Sequence, residues 1–150
     1  MANPARPKNQ IVGVFSLELA RLYAYLYQQT DKNYTIIHAV DGFDEVSLTC
    51  DFKTFSKNGE RLNKISDLGF EEILETEIQG GDNVESSAEI FTNVLHGKGT
   101  DAQTNVVLAN AALAIQTIKG NIPFADCYYE AEESLNSKKA LTSFTKLVSP

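Results

Sequence analysis

An α/β fold is what the sequence predicts: a βαβ unit within a mostly parallel sheet, with helices flanking it. Three observations carry that expectation. Short apolar runs at residues 11–15 and 34–39 are bounded by proline-containing or polar segments, as buried strands are. Between them lies a stretch with helical spacing of its apolar residues. From Asp82 onward the strand-like runs give way to helical ones.

Pro4 and Pro7 fix an extended approach, after which residues 11–15 enter the sheet. Ser16 is placed to cap a helix over 17–29, whose Leu19, Leu22, Tyr23 and Leu26 share one face and are expected to meet the core. A polar turn at 30–33 leads into the strand at 34–39, which closes the βαβ unit. Such a crossover makes its two strands parallel and brings their carboxyl ends together, where α/β sheets bind ligands. The loop at 40–45 is expected at that edge.

Residues 46–49 and 52–55 read as two further short strands, antiparallel additions, with a polar turn at 57–59 leading to another extended segment. Asp82 and Glu85 have the spacing of a capping box, and Val84, Ala88, Phe91 and Leu95 repeat at helical spacing until Gly97 and Gly99. A longer helix begins at Asp101. Its Val106, Val107, Leu108, Ala111, Leu113, Ala114 and Ile115 leave little polar surface, so burial on several sides is expected. A last helix starts near Pro123, with Glu130, Glu132 and Glu133 early and Lys138 and Lys139 late, in keeping with the helix dipole.

A length of 150 residues fits one domain spanning 1–150, and an apolar share of 43% is enough for a core. The net charge of -7 excludes a general nucleic-acid binder or a partner of anionic membranes, both of which need clustered lysine and arginine. Cys50 and Cys127 lie far apart with no CxxC, and are expected to be reduced, buried thiols. Residues 1–7 have neither a signal-peptide apolar region nor a transit-peptide pattern, and no apolar run reaches membrane-spanning length, so a cytoplasmic location is expected.

The densest chemical signal is Asp41-Gly42-Phe43-Asp44-Glu45, three carboxylates in one glycine-containing turn at the predicted ligand edge. Magnesium takes oxygen ligands, keeps several waters, and is commonly held by one or two carboxylates together with substrate phosphates. Acidic residues in turns also form simply to solvate a loop and cap local amides, and spacing alone leaves both readings open. His38, just before the turn, reads as a structural residue satisfied by local hydrogen bonds. Gly80-Gly81-Asp82 reads as a capped turn rather than a phosphate cradle, because an aspartate at a helix amino end repels anions. Arg6 and Lys8 read as an exposed entry segment.

The run Asn3-Pro4-Ala5-Arg6-Pro7, then Gln10 through Ser16, then His38 with Asp41-Gly42-Phe43-Asp44-Glu45, resembles the later portion of the anthranilate phosphoribosyltransferase family. Gly80-Gly81-Asp82 and Asn110-Ala111-Ala112 continue the resemblance, while Ala39 and Phe43 depart from the family's usual glycine and leucine. The resemblance implies a partial α/β domain of the nucleoside phosphorylase and phosphoribosyltransferase type, carboxy-terminal in a two-domain enzyme. It implies transfer of phosphoribosyl from phosphoribosyl pyrophosphate to anthranilate in tryptophan biosynthesis, with Mg2+ held at Asp44 and Glu45. The family's amino-terminal helical domain, phosphate loop and most substrate contacts have no counterpart here, so the chain alone is expected to be inactive, and no catalytic residue is assigned. The family's pairing into homodimers would run through that same helical domain. Two other readings stand beside this one: a free-standing acidic binding module, and a piece of a pyrimidine nucleoside phosphorylase, which shares the two-domain plan.

Overall fold

The computed structural model describes residues 5–120 and 122–149, so Pro4, expected to extend the entry segment, lies outside the described residues along with Asn3. The chain runs β1 (Asn9–Gly13), α1 (Leu17–Gln28), β2 (Asn33–Ala39), β3 (Phe52–Ser56) and β4 (Gly59–Asn63). It then turns helical: α2 (Val84–Leu95), α3 (Asp101–Lys119), α4 (Phe124–Asn136) and α5 (Lys139–Val148). Among the described residues no helix is long and apolar enough to cross a membrane.

The four strands form one sheet in the order β1-β2-β3-β4. β1 and β2 are parallel, with Val12 opposite Ile36, as the intervening helix requires. β3 and β4 add antiparallel, β3 along β2 and β4 along β3 through a tight hairpin. The sheet is therefore mixed rather than mostly parallel. No helix separates β2 from β3, and without a crossover the chain can return only in the opposite direction.

The period-2 alternation of β2 sends its side chains to two different layers. Tyr34 and Ile36 pack with Val14, Ala20 and Ala24 under α1. Ile37 and Ala39 pack with Val46, Leu48, Phe52, Ala109 and Leu113 under α3. Phe52, Ile36, Leu48 and Val46 are the largest fully buried apolar side chains. Each contributes roughly 1.5 to 3 kcal/mol relative to exposure.

Ser16 caps α1 as expected, its side chain accepting from the Leu19 amide at 3.3 Å. The helix carries two adjoining apolar stripes, and the face that meets the sheet keeps Leu19 and Tyr23 of the expected one but turns Leu22 and Leu26 away. Ala20 and Ala24, small enough for close approach, are buried, and Leu17, Leu19, Tyr23 and Tyr27 pack around them. Leu22 and Leu26 face outward at 55% exposure each.

The cap of α2 also shifts by one residue. Asn83 rather than Asp82 accepts from the Ser86 amide at 2.8 Å, and Ser86 Oγ rather than Glu85 closes the box. The helix ends at Gly97, whose amide reaches the Val94 carbonyl while Lys98 reaches Asn93, the paired bonds of a Schellman motif. α3 is buried on two sides, against the sheet and against α4 through Leu108, Ala131 and Leu135, while Val107 faces solvent. The expected last helix is two. Lys138 adopts a left-handed backbone at φ 64, and Lys139 starts α5, tied back to Glu133 of α4 by an ion pair at 2.9 Å. Both lysines thus sit at a joint, not in a final turn. Cys50 and Cys127 are free thiols, with Cys127 buried and Cys50 only half-buried.

Candidate functional site

The parallel pairing of β1 with β2 brings the ends of both strands to one rim, and the loop leaving β2 forms that rim. Its first residues close a turn in which the Gly42 amide donates to the Ala39 carbonyl and the Ala39 amide donates to Phe43, both at 3.0 Å. Gly42 holds φ at 100°, which a side chain would strain. The Val40 amide donates to the Asp51 carbonyl at 3.0 Å, so the two ends of the loop are fastened to each other.

The three acids of this loop are held differently. Asp41 is committed to the fold: it accepts from the Thr49 hydroxyl and from the Phe43 amide. Partial desolvation pushes its carboxyl up, but the bonds from Thr49, Cys50 and the Phe43 amide outweigh that and hold it below the ordinary aspartate range. Thr49 is itself oriented by buried Ser47 at 2.7 Å. Asp44 and Glu45 are exposed, and among the described residues neither carboxylate makes a hydrogen bond or ion pair. Loss of hydration first, and the neighbouring Asp44 charge second, push the Glu45 carboxyl above its ordinary value.

Backbone contacts from two other elements fix this pair. Gly13, at the end of β1, lies so close that a Cβ there would stand 1.7 Å from the Asp44 carbonyl oxygen. Next to Glu45, the Val46 amide donates to Asn110 Oδ1 at 3.0 Å and the Val46 carbonyl accepts from Asn110 Nδ2 at 2.8 Å. Asn110 reaches in from α3.

That amide also explains why the expected strand at 46–49 is absent. The Val46 backbone groups that a neighbouring strand would occupy are taken by a side chain. Leu48 then turns left-handed at φ 60, and its carbonyl accepts from Ile73 at 3.1 Å. The segment is buried, as its apolar residues require, without joining the ladder.

His38 is 7% exposed, with Nδ1 3.0 Å from the Val14 carbonyl. A carbonyl only accepts, so Nδ1 carries the proton and the ring tethers the loop after β1, a structural role as expected. Gly81 is tucked against the start of α2, where a Cβ would stand 2.2 Å from Ser86 Oγ, so that turn is filled by its own helix and offers no cradle. Arg6 and Lys8 are exposed. A groove of about 480 Å³ lies away from the rim, between the β3–β4 hairpin and the end of α3, and none of the three acids lines it.

Among the described residues no three histidine, cysteine, aspartate or glutamate side chains converge to hold a metal by themselves. Two free, adjacent carboxylates on a fixed backbone do fit an ion that draws its other ligands from water and phosphate. Thr49, Gly13 and Asn110, which shape the loop, were not singled out as site residues from the sequence. Gly13 in a strand and Asn110 inside an apolar helical run were the visible signals, since a strand glycine marks close backbone approach and a buried amide must have partners.

The chain matches the family described as glycosyl transferase family, a/b domain, over residues 1–141. It is 62% identical to an anthranilate phosphoribosyltransferase of Christiangramia forsetii over 98% of this chain and 44% of that protein. It is 52% identical to the enzyme of that name from Flavobacterium johnsoniae, with the same coverage of each. The Saccharomyces cerevisiae anthranilate phosphoribosyltransferase, solved in complex with PRPP and Mg, superposes with a TM-score of 0.79 at 26% identity over 89% of this chain and 38% of that one. The chain thus spans less than half the length of the curated relatives it matches.

Proposed function

This chain belongs to the glycosyl transferase family through its α/β domain, and from that premise we propose that it is the carboxy-terminal part of an anthranilate phosphoribosyltransferase. The reaction joins phosphoribosyl, from phosphoribosyl pyrophosphate, to the amino group of anthranilate and releases pyrophosphate. Asp44 and Glu45 would hold Mg2+, which supplies Lewis-acid neutralisation of charge on the departing pyrophosphate. The observation that carries this reading is the division of labour in the acidic turn: Asp41 is consumed by internal bonds, while the neighbouring pair is exposed and, among the described residues, unpartnered. Relatives at 62% and 52% identity that bear the anthranilate name favour this reaction over the phosphorolysis of a nucleoside.

The chain's own part is to present two carboxylates on a held stretch of backbone at a rim, not to transfer a proton. The rim is open, so enclosure of the substrates falls to the remaining length of the relatives, and the 150 residues alone should be inactive. In the full-length enzyme, Asp44→Ala with Glu45→Ala is expected to reduce Mg2+-dependent turnover at least about tenfold, equivalent to about 1.4 kcal/mol of transition-state stabilisation. Steady-state kinetics against Mg2+ concentration measure it. Unchanged turnover in a folded double variant would remove the assignment.

A further inference from the structure

We propose that Asn110 is a positioning residue for the metal site, acting through the Val46 peptide to fix the direction of the Asp44 and Glu45 carboxylates. The inference rests on the proposed metal role of that pair and adds a residue from α3 to it. Asn110 lies in the middle of an apolar helix, between Val106 and Leu113, which pack on the sheet. Its amide is fully engaged: Nδ2 donates to the Val46 carbonyl at 2.8 Å and to the Val106 carbonyl at 2.9 Å, and Oδ1 accepts from the Val46 amide at 3.0 Å. The amide orientation follows from the partners, because a flipped group would set Nδ2 against an N–H and Oδ1 against two carbonyls.

Three features make this more than a core bond. The clamp seizes both backbone groups of one residue, as a neighbouring strand would, yet its target is the residue directly after Glu45. On the other side, Gly13 abuts the Asp44 carbonyl, so the Asp44–Glu45 segment is gripped between β1 and α3. Among the described residues the two carboxylates themselves make no bond that would orient them, which leaves the backbone that carries them as what directs their aim. Residues that orient metal ligands without touching the metal are commonly worth ten- to a hundredfold in metal affinity.

The test uses the full-length enzyme with phosphoribosyl pyrophosphate present and Mn2+ as the probe ion, its binding read from loss of the free-ion electron paramagnetic resonance signal. Asn110→Ala removes the clamp. Asn110→Asp keeps its size and its acceptor but sets an oxygen against the Val46 and Val106 carbonyls. Both are expected to weaken Mn2+ binding about tenfold or more. In the unmodified, metal-free protein, hydrogen exchange should show the Val46 amide already protected, a measurement that needs no variant. Full Mn2+ affinity in folded Asn110 variants, alongside weakened binding in Asp44→Ala with Glu45→Ala, would overturn the proposal and leave the site reading intact. Rapid exchange at Val46 would overturn it as well. Undiminished Mn2+ binding in the carboxylate double variant would remove both.

Discussion

The acidic loop and the β3–β4 hairpin lie on the same sheet and use charge in opposite ways. In the hairpin the backbone follows an ordinary antiparallel ladder, and Lys53 and Glu60 answer each other across it at 2.5 Å. In the loop the backbone is held by unusual means, a glycine contact, a side-chain amide and a left-handed leucine, while two neighbouring carboxylates are left without partners among the described residues. A region selected for stability pairs its charges. A region that fixes the main chain and leaves like charges free accepts a local penalty, which is common where something else is to be bound.

The largest effect that would break this contrast is expected from Gly13→Ala. The added Cβ would meet the Asp44 carbonyl oxygen at 1.7 Å, so β1 or the acidic loop must move, at a cost of about 3 kcal/mol in urea unfolding. Tolerance of alanine there would show that the loop is not gripped by β1.

Thr49→Val removes the hydroxyl that orders Asp41 and should cost about 1 kcal/mol at neutral pH. Asp41 has a lowered folded-state pKa, so its contribution is present above the unfolded carboxylate pKa and is lost as pH falls through the folded value. The difference between Thr49→Val and the parent should therefore shrink in acid, which paired unfolding curves at neutral and low pH would reveal. A difference independent of pH would assign the hydroxyl to packing instead.

Glu45→Gln tests the penalty itself. A carboxyl whose folded pKa is raised disfavours folding once pH exceeds the unfolded value, so the glutamine variant should be the more stable one at neutral pH without metal. The advantage should vanish as pH drops below the unfolded carboxylate pKa, where both side chains are neutral. The smallest change is expected in the hairpin: Lys53→Ala should cost less than about 0.5 kcal/mol and respond to added salt, as part-exposed pairs do.

Much of the frame is written in local sequence. The apolar runs around Ile36 and Phe52, the Ser16 cap, and the Gly97 stop each follow from residues close to the element they define. What local reading missed depends on partners far along the chain. Residues 46–49 have strand-like composition, but Asn110, 64 positions away from Val46, fills the place of a strand. The apolar stripes of α1 look equivalent until the sheet selects Ala20 and Ala24 over Leu22 and Leu26. The joint at Lys138 escapes composition altogether, because lysine carries no preference for the left-handed conformation it adopts there. The acidic turn was legible as a cluster, but its sorting into one structural and two free carboxylates needed the positions of Thr49 and Cys50.

The bridge from α3 to Val46 has a mechanical side. The same helix lies against α4 through Leu108, and the amide of Asn110 is the rigid strut between that helical layer and the rim of the sheet. Free-energy coupling is symmetric, so if the rim takes up an ion as proposed and α3 steadies it, that load would stiffen α3 by as much as a stiffer α3 improves the grip on the load. On the proposed roles of Asp44, Glu45 and Asn110, substitutions at the α3–α4 seam, well away from any charge, would become a means of adjusting how firmly the rim holds its ion.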